Sequence, residues 1–331
     1  MLALYTSSGK QSQTKTDLSV ATLPPDIVWI DMLDPDSMEL NFVERCTGLH
    51  VPRRDELSEI ESSSRLKIDG ETLYLGTPIV FEGESHAAIA TPVGFVLARD
   101  CLMTIRFQEL TAFRNFVQQS QPADRHYDSA RIFVGLMEAI VDRVADKLEN
   151  VGSALDTVSH RIFHTEITNA GGKRRRPIRE DADLRELLQR VGGSGDLTSK
   201  LRDSLLGIGR IVPYVLALGT KWLPAEVTPR LQTLERDIAS LSDYDVHLTN
   251  KVQLLLDATL GLINIQQNNI IKVLTIVSVV GVPPTLVASV YGMNFRYMPE
   301  LNWTWGYPFG LALIVLSALV PLLWFKLRGW L

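Results

Sequence analysis

The hydrophobic pattern of this chain changes character three times over its 331 residues. Up to about residue 125, short apolar and β-branched runs at Leu2–Thr6, Ile27–Met32, Leu66–Phe81 and Val93–Phe107 alternate with helical spacing at Ser37–Cys46, Arg53–Ile60 and Leu110–Gln119. Asp69-Gly70 supplies a hairpin turn inside the third run. The mixture predicts an α/β domain over 1–125. From Ala130 to Phe163, Ile132, Leu136, Ile140, Val144, Leu148, Val151, Leu155 and Val158 recur at helical spacing and predict one long helix. A Gly- and Arg-rich segment, Asn169–Pro177, follows, and helical spacing resumes over Leu184–Val191 and Leu197–Leu218. The region 126–228 therefore reads as helical hairpins. Past Pro224 and Pro229 no proline occurs until Pro283, so Arg230 to about Val290 predicts a single helix of unusual size.

Two runs without any charge, Val273–Phe295 and Leu301–Phe325, close the chain. A bilayer core of ~30 Å needs about 20 apolar residues in a helix, so both runs qualify as spans. The expected order is a long stalk helix over 229–293 that becomes the first span, an external loop at 294–304, a second span at 305–326 and a tail at 327–331. Mean hydropathy is only +0.08, because a polar, mildly acidic first part dilutes the apolar end. Met1–Ser8 has neither a basic leader nor a sustained apolar core, so no signal peptide is expected. Lys272 precedes the first span, and Lys326 and Arg328 follow the second. The positive-inside tendency then places both termini in the cytoplasm and Arg296–Glu300 outside, in a plasma (inner) membrane. Two cysteines, Cys46 and Cys101, are too few for a disulfide framework and suit a reducing compartment. The predicted class is an α+β membrane protein: an N-terminal cytoplasmic α/β domain, a long helical stalk and two C-terminal transmembrane helices.

Placed at 100° intervals, the four serine and threonine residues of the first span, Thr275, Ser278, Thr285 and Ser289, fall within an arc of about 80°. Towards the cytoplasm the same arc collects Asn268, Asn264 and Asp257, with Ile271 and Val282 as apolar interruptions. Polar groups at membrane depth need partners or water. A stripe of this kind is what a helix presents when several copies surround a wet pathway. A serine or threonine can also satisfy its own helix's carbonyls and pack small against a neighbour, so no single hydroxyl decides the matter.

Between the spans stands Tyr291-Gly-Met-Asn294. Gly292 can release the chain into a non-helical turn, and Asn294 offers a neutral amide oxygen. A ring of such oxygens attracts a hydrated divalent cation without gripping it. Mg²⁺ dehydrates reluctantly, and conduction requires loose binding. Glu300 in the same loop would raise the local cation concentration.

Tyr291–Phe295, Met298-Pro-Glu-Leu301, Trp305-Gly-Tyr-Pro308 and the ending Phe325-Lys326 … Trp330-Leu331 together resemble the CorA family of magnesium channels. The resemblance implies a homopentamer in the lipid bilayer, with the first span lining the pore and passive, potential-driven uptake of Mg²⁺, with Co²⁺ and Ni²⁺ as secondary substrates. It implies Gly292, Met293 and Asn294 as the selectivity filter, Asn268 as a polar ring and Asp257 as a carboxylate at the inner mouth. Ile271 and Leu274 match the hydrophobic constriction, although Thr275 fits the arc better than Leu274. Gating by internal Mg²⁺ at acidic sites between subunits is also implied, with Glu82, Glu84, Glu235 and Asp237 as candidates and Thr233 where some members carry an aspartate.

Other signals are weaker. Lys173–Arg176 is more simply a solvated loop than a lipid or nucleic-acid contact, and no nucleic-acid partner is expected. His160 and His164 lack a further ligand to complete a metal site. No phosphate loop, nucleophile elbow or paired catalytic carboxylate is present, so no enzyme is expected. The alternatives are a zinc or proton-coupled divalent transporter on the same framework, and a non-conducting, membrane-anchored scaffold.

Overall fold

The computed structural model describes residues 1–7, 11–13, 23–24, 26–59, 61, 65–83, 88–119, 128–163, 181–219, 222–294, 298–299 and 303–330. They divide into two compact units, Met1–Leu256 and Asp257–Leu331. The strands of the first unit are β1 (Leu2–Thr6), β2 (Gln11–Gln13), β3 (Ile27–Leu33), β4 (Leu66–Asp69), β5 (Thr72–Glu82), β6 (Ala88–Leu97) and β7 (Leu102–Arg106). They form one sheet in the order β2-β1-β3-β7-β6-β5-β4, with β3–β7 the parallel pair. The helices are α1 (Ser37–Thr47), α2 (Arg54–Ser58), α3 (Thr111–Gln119), α4 (Ser129–Phe163), α5 (Asp181–Leu218), α6 (Val227–Tyr291) and α7 (Gly306–Leu327).

Strand periodicity sorts the core into two layers. Leu2, Leu4, Ile30, Met32, Met103 and Ile105 point to one face, where Phe42 and Val43 of α1 and Leu57 of α2 cover them. On the other face Phe95 meets Phe113 of α3 and Phe133 of α4, at ring-centroid distances of 6.3 and 5.8 Å. Helix α5 lies so close to β5 that a Cβ on Gly207 would stand 2.0 Å from Thr77 Oγ1, which only glycine avoids.

The hairpin at Asp69-Gly70 forms as expected, with Gly70 at φ 59°. Three features go beyond the pattern of the residues. Val93–Phe107 is not one strand: the chain reverses between β6 and β7, closed by Ala98 N–H donating to Cys101 O at 3.0 Å. Strand β2 pairs with β1 although Gln-Ser-Gln carries no strand signal. The stretches 184–191 and 197–218 are one helix, α5, which runs through Gly192, Gly193 and Gly195.

One charged pair lies inside the sheet layer. Asp31 on β3 is 4% exposed and accepts from Arg106 Nη2 at 2.8 Å and from Thr104 Oγ1 at 2.7 Å. Trp29 Nε1 donates to Thr104 Oγ1 at 3.0 Å, so the network is continuous. Burial, with Asp31 next in effect, pushes the neighbouring Tyr5 hydroxyl up to about 12. Removing one member strands the other charge without water. Asp31→Ala is expected to cost about 3–5 kcal/mol, read as a lower denaturation midpoint of the purified protein. A double change of Asp31 and Arg106 to apolar residues should cost less than the single one.

Candidate functional site

The second unit contains the end of α6 and all of α7, and both helices are long and apolar enough to cross a membrane. At 1.5 Å per residue the 22 residues of α7 extend about 33 Å, close to the thickness of a hydrocarbon core. Trp303 packs on Phe309 at one end, centroids 5.6 Å apart, and Trp324 on Phe325 at the other, at 5.2 Å. Aromatic side chains at both ends match the two interfaces of a bilayer.

Between Lys272 and Tyr291, the half-buried positions of α6 other than Thr275 are Lys272, Ile276, Val280, Pro283, Pro284, Val287 and Tyr291. At 100° per residue they occupy an arc of about 120°. The expected polar stripe lies on the opposite side. Asp257, Asn264, Asn268, Ser278, Thr285 and Ser289 are exposed, as are the apolar Ile271 (60%), Leu274 (65%) and Val282 (62%). Thr275 is half-buried at the margin. A single chain thus covers one side of this helix and leaves the stripe open.

Three of the four hydroxyls bond within the helix. Thr275 Oγ1 donates to Ile271 O at 2.8 Å, Thr285 Oγ1 to Gly281 O at 2.9 Å and Ser289 Oγ to Thr285 O at 2.8 Å. Each donor is spent on the helix's own carbonyl, and what remains outward is an oxygen able only to accept. Pro283 and Pro284 lack N–H groups, so the helix offers no donor to the carbonyls of Val279 and Val280. At Thr275, Thr285 and Ser289 the outward polar character of the span is therefore that of an acceptor.

The helix ends at Tyr291, with Gly292 N–H still donating to Ala288 O at 2.9 Å and Met293 N–H to Val290 O at 3.3 Å. Gly292 does not use a left-handed conformation to leave the helix. Its contribution is steric: a Cβ there would stand 3.2 Å from Ala288 O. Met293 and Asn294 are exposed. Glu300 lies outside the described residues.

The acidic candidates of the first unit are held differently from one another. Glu82, at the end of β5, accepts from the buried Lys147 Nζ at 2.6 Å and lies 3.9 Å from Arg143. Glu84, His164 and Lys173–Arg176 lie outside the described residues. Glu235 and Asp237 stand on α6, and Asp237 acts on α4: the Asp142 carboxyl is raised above its usual range by burial first, then by Glu138, Asp146 and Asp237. Among the described residues no group of three or more His, Cys, Asp or Glu side chains is placed to hold a metal ion. The reading of the sequence missed Glu138, Asp142 and Asp146, although their four-residue spacing puts them on one face of α4.

Comparison with known proteins adds the following. A family model described as CorA-like Mg²⁺ transporter protein matches residues 25–327. The magnesium transport protein CorA of Salmonella typhimurium is 33% identical over 324 residues, covering 97% of this chain and 98% of that one. Its counterpart in Escherichia coli K12 is 34% identical over 306 residues, 92% of each chain. The complete structure of the CorA magnesium transporter from Methanocaldococcus jannaschii superposes with a TM-score of 0.73 at 20% identity, covering 100% of this chain and 99% of that one.

The Asp142 cluster yields a pH test. A carboxyl whose folded pKa is raised stabilises the fold below its unfolded pKa, and the contribution is lost as pH rises through the folded value. Asp142→Asn should therefore raise the unfolding temperature near neutral pH, with the gain vanishing below about pH 4. An equal gain at both pH values would show that the cost of ionising the buried Asp142 carboxyl is not the cause.

Proposed function

The chain belongs to the family of CorA-like Mg²⁺ transporter proteins, and we propose that it is a passive channel for hydrated Mg²⁺ in the plasma (inner) membrane. The observation that carries this reading is the open face of α6, which runs as a line of acceptors and apolar rings from Asp257 to the exposed Asn294. Copies of the chain, five by resemblance, close their α6 faces around an axis in the lipid bilayer, with α7 behind and both termini cytoplasmic.

The water molecules around Mg²⁺ direct their hydrogens outward, so acceptor oxygens along the lining are complementary to the intact shell. Gly292, Met293 and Asn294 form the filter, where amide oxygens receive the hydrated ion, and Glu300 enriches cations outside. Thr275, Ser278, Thr285 and Ser289 offer oxygens along the span, and Val282 narrows it. Ile271 and Leu274 form the constriction, and Asn268, Asn264 and Asp257 lead to the cytoplasm. Co²⁺ and Ni²⁺ share the charge and the octahedral shell, and are secondary cargo.

The driving force needs no coupled ion. Moving two charges through 100 mV releases about 4.6 kcal/mol, enough to hold a gradient of roughly three orders of magnitude. Closure follows when internal Mg²⁺ binds carboxylates between copies. Glu82, Glu84, Glu235 and Asp237 are the residues for this role. Asp237 is among the charges that raise the Asp142 carboxyl, after burial, Glu138 and Asp146, and a cation bound beside it would relieve that repulsion.

Asn294→Ala should lower Mg²⁺ uptake into liposomes by about tenfold or more with the assembly intact, since it deletes the charge-facing acceptor at the mouth. Unchanged flux would refute the filter. Ile271→Ala or Leu274→Ala should sustain flux at internal Mg²⁺ that closes the natural protein. Replacing Ser278, Thr285 and Ser289 together by alanine separates a channel, which slows, from a mere membrane anchor, which does not. Uptake that tracks an imposed pH gradient would favour a proton-coupled transporter instead.

A further inference from the structure

We propose that the capped end of α7 is a clamp on α6, with Trp330 and Lys272 as positioning residues for the constriction at Ile271 and Leu274; the functional part of this proposal rests on that assignment of the gate.

The last turn of α7 is a built structure. Gly329, at φ 69°, takes the left-handed conformation that ends a helix. Trp330 N–H donates to Phe325 O at 2.9 Å and Gly329 N–H to Lys326 O at 3.2 Å, the two bonds of a Schellman stop. This stop folds Trp330 back over Phe325, rings stacked with centroids 5.5 Å apart. Phe325 is 2% exposed, while Leu322, Leu323 and Trp324 beside it are exposed. Arg328 lies 5.1 Å over the Trp324 ring, which holds the other side of the cluster.

The partner is α6. Lys272 Nζ sits 5.7 Å from the centroid of Trp330, a cation–π contact between the two helices. Lys272 follows Ile271 directly and is two residues before Leu274. It lies on the half-buried side of α6, whereas Ile271 and Leu274 lie on the open side. The contact therefore grips the constriction turn from behind.

The geometry explains why a grip is needed there. At the Gly292 end the two helices are tied by a short covalent connection, residues 292–305. At the other end α6 continues as one helix into the first unit while α7 ends, so among the described residues α7 is held to α6 there by side-chain contacts. A one-residue rotation of 100° would turn Ile271 out of register with the stripe. A cation held over a ring that is itself fixed by a helix cap resists that rotation.

The test uses the full-length protein in liposomes with two readouts: the internal Mg²⁺ concentration that half-closes the pathway, and amide hydrogen exchange at Gly329 and Trp330. In the natural protein both amides should exchange slowly. Trp330→Leu keeps apolar bulk without an aromatic face, and Lys272→Met keeps the stem without the charge. Each should shift half-closure by about threefold or more, the scale of one exposed cation–π contact. Trp330→Phe and Lys272→Arg should restore the natural value. Gly329→Ala, strained at this φ, should speed exchange and shift closure in the same direction. Fast exchange in the natural protein, or Trp330→Leu matching Trp330→Phe in closure, overturns the clamp. If Ile271→Ala leaves closure unchanged while Trp330→Leu still shifts it, the gate assignment falls and the clamp stands. If Ile271→Ala shifts closure and Trp330→Leu does not, the clamp falls alone.

Discussion

A polar group in hydrocarbon must find a partner or bear a desolvation cost of about 2–7 kcal/mol, and α6 is organised around that constraint. Its span satisfies donors from within: Thr275, Thr285 and Ser289 each turn their hydroxyl hydrogen onto a carbonyl one turn back. The same helix forgoes two donors at Pro283 and Pro284. What these three hydroxyls leave over is oxygen lone pairs. Such oxygens can receive any group that donates, the outward hydrogens of a hydrated cation included.

The first unit obeys the same accounting with charges. Along the α4–α6 seam opposite signs meet: Glu138 pairs bidentately with Arg230, Arg131 with Glu226, and Lys251 with Asp156 at 2.6 Å. Between these pairs, Asp142 is opposed by Asp237 and flanked by Glu138 and Asp146. Exposed pairs of this type stabilise little, about 0–1 kcal/mol each. Their value is in register, because they fix which turn of α4 faces which turn of α6.

Much of this was legible in the residues. Two charge-free runs, the 3.6-residue period of α4 and the Asp69-Gly70 turn all lead to the elements observed, because each is a local signal. The arc from Asp257 to Ser289 was legible too, since it needs only a helix and a fixed angle per residue. Elements set by distant partners were not. Strand β2 is a polar edge that exists by pairing with β1. Gly192, Gly193 and Gly195 argue for a break in α5, each costing about 1 kcal/mol relative to alanine, yet the helix continues. Gly195 lies where a Cβ would meet Val252 of α6 at 3.2 Å, so tertiary packing overrides propensity there. The Asp142 cluster was hidden for the same reason, as its fourth carboxylate comes from a helix about 95 residues away in sequence.

The hydroxyls deserve less weight, and the amides more, than sequence periodicity gives them. A back-bonded serine or threonine costs little anywhere in a membrane helix, so Thr275, Thr285 and Ser289 are compatible with lipid as well as with water. A carboxamide is different: it carries two donors and an acceptor, and an exposed helical asparagine cannot return all of them to its own backbone. Asn264, Asn268 and Asn294 are all exposed on the described chain, two before the span and one just beyond it. Water, a ligand or a neighbouring chain must therefore meet the chain at both ends of the apolar segment. Between the ends, acceptor oxygens alternate with Val282 and the Ile271–Leu274 step, so an ion would meet weak contacts and dry rings rather than a deep well. Weak contacts suit a cation that keeps its water, because a site tight enough to strip Mg²⁺ would also retain it.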